Sequence, residues 1–439
     1  MIKNESIICI SSIDWDFVWQ GHQEIMSTLA NNGNRVLFVE NTGVRTPTLR
    51  DIPRLWKRFL NWKKGYKGIR KISENLFVYS PLVLPFPYSK IATKVNRFIM
   101  LSVIKKWMKA LEFRNPIVWS FLPTALVVDM LNELNPSIFI YYCIDDFASS
   151  SKGARKIKKV EEKVIRSADL VFTTSRKLFK KCQAINKRTY SFPFGVSIEN
   201  YNIAREKMLD APGEMHAIKR PIVGYIGGIH KWIDFGLLRK MALQSKDISF
   251  VLIGPKQVDL SPIIDIPNIY ILGKKNKQDL PAYVKFFDAG IIPYRKTAYT
   301  ENVYPTKINE YLAMGKPVIS TKIPEVVEFD RAHSGGIVYL IEGENDFSLL
   351  LSNIISQNNE ETVRKRIALA NSNSWSVKLE NMCDLIQKRL EQIHKRVSQD
   401  WIGSIKGFYV KSRRRTIKIA GVLLALYLVV FYSPFMWLV

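Results

Sequence analysis

Cysteine is scarce in this 439-residue chain. There are four (Cys9, Cys143, Cys182 and Cys383), with no CxxC spacing and no matching histidine cluster. That argues against both a disulfide framework and a structural metal site, and it suits a reducing cytosol. Acidic residues are few as well: 39 Asp and Glu stand against 65 Lys and Arg, a net charge of +26. Such an excess points to solvated basic faces or to an anionic partner, whether nucleic acid, lipid or a phosphorylated ligand. Low-complexity tracts and internal repeats are absent. No secretory leader is expected either, because the apolar run Ile7 to Ile13 is short and meets Asp14 and Asp16.

What the chain does have is enough length for two domains with additions, and 47% hydrophobic residues. One long uncharged stretch, Ile419 to Val439, follows Arg413, Arg414, Arg415 and Lys418. As a helix it would measure about 30 Å, the thickness of a bilayer core. A C-terminal membrane span is therefore expected, with the body of the protein on the cytoplasmic side by the positive-inside rule.

Short apolar runs alternate with helical stretches through the first half: IICISSI, RVLFVEN, NLFVYS, PIVWSFL, SIFIYYCI and DLVFTTS. Runs of this length suit parallel strands buried on both faces. A second series begins at PIVGYIGG and continues through ISFVLIGP, NIYILGK, AGIIPY, KPVIST and GGIVYLI, after the Pro/Gly-containing linker SFPFGVSIENY. The expected fold is α/β, two Rossmann-like doubly wound domains facing across a cleft. The domains are placed at residues 1–198 and 199–375. A helix over 376–397 follows, then a basic linker and hydrophobic tail over 398–439.

The stretch YPTKINEYLAMGKPVIS, Tyr304 to Ser320, has a helix start at Pro305-Thr306-Lys307, with Glu310 one turn inside. Gly315 and Pro317 end the helix before a core strand. A helix start beside a lysine suits an anion. Taken alone, the pattern is equally that of a solvated lysine and a capping glutamate.

In order, GYIGGIHKWIDFGLL, VLIGP, NIYILG, DLPAYVKFFDAGIIPY and PTKINEYLAMGKPVIST resemble the donor half of GT-B glycosyltransferases. The likeness is to bacterial envelope-polysaccharide enzymes of the family-4, teichuronic acid and exopolysaccharide type. SSIDWDFVWQGHQEI, YYCIDDF and GVSIENY extend it, with Ser197 where the family's linker usually has Asp. The resemblance implies a glycosyltransferase, a hexosyltransferase using a nucleotide diphosphate sugar as donor substrate, with no other cofactor and no metal. It places the diphosphate near Thr306 and Lys307 and the ribose on Glu310, since a carboxylate accepts two hydroxyl donors well. Gly227 and Gly228 form a loop that lets backbone approach the phosphates. His230 and Lys231 stand where the family has basic residues, and Tyr294 ends a strand on the cleft side. The family's other glutamate, eight residues before Glu310, is Asn302 here, which puts the retaining mechanism in doubt and leaves Asn302 as a candidate donor contact.

Inverting transfer needs a base for the acceptor hydroxyl. Asp145 and Asp146 follow the strand IFIYYCI, a position similar to the catalytic Asp of the xanthan glucuronosyltransferase. An ordinary turn would also place Asp there. Asp14-Trp15-Asp16 spells a DxD sequence, but after the first strand it is expected to shape the acceptor side, with His22 nearby.

Basic residues gather with aromatic ones at Arg54 to Lys71 and again at Lys105, Lys106, Trp107 and Lys109, and Arg155, Lys156, Lys158 and Lys159 add to the charge. An interfacial amphipathic helix on an anionic inner leaflet explains this pattern. A lipid-linked acceptor would be met there. No nucleic-acid-binding motif is present, so nucleic acid is not expected as a partner. The function expected is sugar transfer in bacterial cell-surface polysaccharide synthesis. The alternatives are a GT-B nucleotide-sugar epimerase and a non-catalytic scaffold of a membrane assembly complex.

Overall fold

The computed structural model describes residues 1–439 apart from 18, 44–55, 57–59, 61, 64–67, 85, 87, 150–155, 208–209, 334–336, 343–346 and 433–439. Residues Met1–Asp384 form one compact unit and Leu385–Val439 another. The first unit holds two sheets. The first sheet contains β1 (Ser6–Ile10), β2 (Arg35–Val39), β3 (Ile69–Ser73), β4 (Leu76–Tyr79), β5 (Ile117–Ser120), β6 (Ile138–Cys143), β7 (Leu170–Thr173) and β8 (Thr189–Ser191). Their order is β3-β4-β2-β1-β5-β6-β7-β8, parallel except for the β3–β4 pair.

The second sheet is all parallel, ordered β11-β10-β9-β12-β13-β14. Its strands are β9 (Ile222–Ile226), β10 (Ser249–Ile253), β11 (Ile269–Gly273), β12 (Ala289–Ile292), β13 (Val318–Thr321) and β14 (Val338–Ile341). This is the doubly wound order 3-2-1-4-5-6, with its switch point between β9 and β12. Every residue of β1, β5, β6, β7, β9, β10 and β12 is buried, as continuous apolar runs require when helices cover both faces.

Each run read as a strand is a strand. Two further strands carry weaker patterns. β3, with the sequence IRKIS, is largely exposed and pairs antiparallel at the sheet's edge, where charge guards against further pairing. β8 is only three residues long.

Close packing fixes the second sheet. A β-carbon on Gly224 would stand 2.0 Å from the Phe287 ring, so only glycine lets that ring lie flat on β9. The linker returns to the fold through paired backbone bonds, Val196 N–H to Asn373 O at 3.2 Å and Trp375 N–H to Val196 O at 3.1 Å.

The C-terminal region differs from expectation. A single helix runs from Trp375 to Tyr432 and takes in the stretch read as a basic linker. Among the described residues no helix is long and apolar enough to cross a membrane. The uncharged window expected to span begins only at Ile419, and its last part, 433–439, lies outside the described residues. Most of the basic stretch Arg54 to Lys71, and Arg155, are likewise outside them.

Candidate active site

A cleft of about 650 Å³ opens within the first unit where the two sheets present their carboxyl ends. Its second-lobe wall is built on the switch point. β9 ends in Gly227-Gly228, and Gly227 has φ +124°, a conformation that side-chain-bearing residues rarely adopt. Gly254, after β10, packs so closely that a β-carbon there would lie 1.9 Å from the Gly227 carbonyl oxygen. Two strand ends thus bring bare backbone to the cleft floor.

The helix Lys307–Ala313 starts beside this floor, with Thr306 as its cap residue. Lys307 folds back over Gly227, its Nζ 5.3 Å from the Tyr225 ring centre and 5.7 Å from that of Tyr294. Burial works against its charge, but Tyr294 and Glu310 outweigh that and hold the ammonium above its ordinary value. Glu310 also lines the cleft, and burial raises its carboxyl despite the pull of Lys307 and Lys277. A cation and a carboxylate acceptor, one turn apart beside open backbone, can neutralise phosphate and accept hydroxyl donors in one place.

On the first-lobe wall, Asp145 follows β6 and faces the cleft, while its neighbour does not. Asp146 turns to Lys181, whose Nζ lies 3.4 Å from Asp146 Oδ1 and 2.7 Å from the buried Glu161. The pair read together as candidate bases is thereby divided, leaving Asp145. Desolvation raises the Asp145 carboxyl to about 7; the Tyr299 hydroxyl at 3.5 Å opposes this and the Asp146 charge adds to it. A carboxylate tuned near neutrality suits proton abstraction.

Several expected residues lie elsewhere. His22 is fully buried, with Nε2 2.8 Å from Ser12 Oγ and its ring 4.1 Å from that of Phe121. Burial lowers it to about 3, so it is a neutral core residue and not an acceptor contact. Asp14 does not line the cleft; its carbonyl accepts from Phe17 N–H in the turn that brings Phe17 and Trp19 to the wall. Asp16 pairs with Arg70 at 2.9 Å. Among the described residues no group of three or more His, Cys, Asp or Glu is placed to hold a metal.

His230 stacks on Trp232 at 3.6 Å, and its Nδ1 accepts from Lys231 N–H; neither His230 nor Lys231 lines the cleft. Asn302 is buried outside the lining, its Nδ2 donating to Ala298 O at 2.7 Å. It holds a loop together and is not turned to a donor.

Sequence reading missed Glu24, Lys277, Trp232 and Tyr299, all on the cleft wall. Lys277 Nζ bridges Glu24 at 3.0 Å and Ser197 at 3.1 Å, tying the second lobe to the first and to the linker. Its place in the basic run after β11, at a strand's carboxyl end, was a usable signal. Nothing in the sequence singles out Tyr299.

Two α/β lobes enclosing one cleft at their strand ends, one sheet parallel throughout and the other parallel but for one edge pair, have the GT-B architecture. Residues 220–356, within the second lobe, match the family model described as Glycosyl transferases group 1. The chain is 27% identical over 259 residues to TuaH of Bacillus subtilis (strain 168), a protein provisionally named as a teichuronic acid biosynthesis glycosyltransferase. That match covers 54% of this chain and 64% of the relative, under two thirds of its length. Among solved structures, a sucrose-phosphate synthase from Thermosynechococcus elongatus aligns with a TM-score of 0.62 at 14% identity, covering 88% of this chain and 98% of that one. The Anabaena protein HepE, in complex with UDP, aligns with a TM-score of 0.60 at 13% identity, over 88% of this chain and all of that one. At these identities the structures speak for the fold.

Proposed function

We propose that the protein transfers a sugar from a nucleotide diphosphate sugar to an acceptor hydroxyl in bacterial cell-surface polysaccharide synthesis. The observation that carries this reading is Lys307 lying over the glycine floor at the switch point, with Glu310 one turn away. The Anabaena neighbour has been solved with UDP, with UDP and glucose and with UDP-glucose, ligands that a cleft of this build would suit. Lys307 neutralises the diphosphate, Glu310 accepts the ribose hydroxyls, and Asp145 takes the acceptor's proton from the opposite wall. A base placed so favours inversion at the anomeric carbon, and no metal is required.

The acceptor is proposed to be lipid-linked and met at the cytoplasmic face of the membrane. The first lobe's helix Lys90–Ala110 carries no acidic residue and exposes Ile91, Val95 and Phe98 among Lys90, Lys94 and Arg97. Apolar groups framed by cations suit an anionic leaflet. An epimerase at the same cleft would turn over donor at a rate indifferent to added lipid acceptor.

A panel of nucleotide diphosphate sugars, followed by thermal shift and release of nucleoside diphosphate, tests the reading. One or more should bind and turn over, with turnover lost in Asp145→Asn and binding weakened at least tenfold in Glu310→Gln, about the worth of one charged hydrogen bond. A panel without binding or turnover would remove the proposal.

A further inference from the structure

The loop from Arg295 to Val303 is bonded to itself at several points. Thr300 Oγ1 donates to Arg295 O at 2.6 Å and accepts from Thr297 N–H at 2.9 Å, while Asn302 fastens Ala298 O from the other end. The rigid loop presents two side chains to the first lobe. Glu301 pairs with Lys177 at 3.3 Å, and the Tyr299 hydroxyl reaches Asp145 Oδ1 at 3.5 Å. Tyr299 is itself held by stacking on Trp232, 5.5 Å between centres and 24° from parallel, with His230 stacked beyond.

We propose that Tyr299 is a positioning residue supplied by the donor lobe, holding Oδ1 of Asp145 so that Oδ2 faces the acceptor, and that the base is complete only when the lobes meet. The inference rests on the reading of Asp145 as the base. In the step it serves, the acceptor O–H bond breaks and its proton goes to Asp145. The freed oxygen bonds the anomeric carbon, and the bond from that carbon to the diphosphate breaks with its electron pair leaving on the phosphate oxygen. Asn302, where a second glutamate would be expected, acquires a task here: it stiffens the loop that carries Tyr299.

The surroundings agree. Asp145 meets Asp146 along its own chain, with Lys181 and Glu161 beyond it; Cys143 Sγ–H approaches its carbonyl at 3.9 Å; Tyr299 is the group arriving from the second lobe. Of these, the Tyr299 hydroxyl favours the ionised carboxylate, whereas burial and Asp146 oppose it.

The test uses the full chain and Tyr299→Phe, which keeps the ring on Trp232 and removes only the hydroxyl. Infrared titration of the carboxyl band, taken as wild type minus Asp145→Asn, should show a midpoint near 7. In Tyr299→Phe the same difference should titrate about one pH unit higher, a roughly tenfold weaker acid. Turnover of the donor found by the panel should fall about fivefold at pH 7 and recover on the alkaline side, with affinity for that donor's nucleoside diphosphate and melting temperature unchanged. An unmoved midpoint with wild-type turnover overturns the inference while leaving Asp145 as base. Full turnover in Asp145→Asn overturns the reading of the base itself, whatever the titration shows. A loss of turnover that no pH restores, with a lowered melting temperature, marks Tyr299 as merely structural and also overturns it.

Discussion

Lys307 occupies the space a β-carbon on Gly227 would need: that carbon would stand 2.4 Å from Lys307 Cε and 2.7 Å from Nζ. The two residues are 80 positions apart in sequence and make one surface, a bare peptide with an ammonium laid across it. Lys307→Ala should therefore leave the fold intact and weaken nucleoside diphosphate binding by about 2 kcal/mol, read by calorimetry. Gly227→Ala should do similar harm by displacing the lysine, and should also cost about 1–2 kcal/mol in stability through its positive φ. Wild-type affinity in both variants would detach this corner from the ligand.

Glu24 and Lys277 join the lobes across the mouth of the cleft. Lys277, Trp19 and Ser197 together hold the Glu24 carboxyl below its ordinary value, against the effect of burial. The pair is partly exposed, at 19% and 40%, so solvent screens it. A double-mutant cycle of Glu24→Gln and Lys277→Met on thermal unfolding should give a coupling of about 0.5–1 kcal/mol that shrinks in high salt. Additive single effects would show that the contact contributes nothing.

His22 makes stability pH-dependent. Its folded-state value, about 3, is depressed below the ordinary histidine value. The neutral ring's contribution is thus fully present above pH 6.5, the unfolded value, and is lost as pH falls toward 3, because only the unfolded chain takes up the proton. The slope in that window is about 1.4 kcal/mol per pH unit. Urea unfolding at pH 7 and pH 5 should show the decline in wild type and a smaller one in His22→Gln. Equal declines would place the acid sensitivity elsewhere.

Gly224→Ala should be among the most damaging single-methyl changes in the chain. The Phe287 ring, part of the second lobe's core, lies 2.0–2.2 Å from the site of the new carbon, and Gly224 is buried in β9. Overpacking of this kind costs about 1–3 kcal/mol or more. Chemical denaturation would measure it, and Gly213→Ala, which meets open space, serves as the control.

The buried strands and their alternation with helices were legible in the sequence because a strand covered on both faces must be apolar throughout, whatever surrounds it. The glycine loop and the Thr306–Glu310 helix were legible for a similar reason, since backbone approach and a helix start each demand particular residues locally. The edge strand β3 escaped because its only obligation is to one neighbour and to water. The uncharged stretch after Ile419 matched a bilayer in length by composition alone, yet its described part, as far as Tyr432, continues one long helix that begins at Trp375.

Which carboxylate faces the cleft was a different kind of question. Asp145 and Asp146 are equivalent as letters, and Lys181, a distant residue, separates them by drawing one away. The pairing of Tyr299 with Asp145 joins residues 154 positions apart on two lobes, and the burial of His22 depends on rings from Phe121 and Phe194. Local sequence determined the elements and the loops that need special backbone. Charge partnership, desolvation and the opposition of two walls arise only when distant segments share a small volume, so the tertiary structure alone decided them.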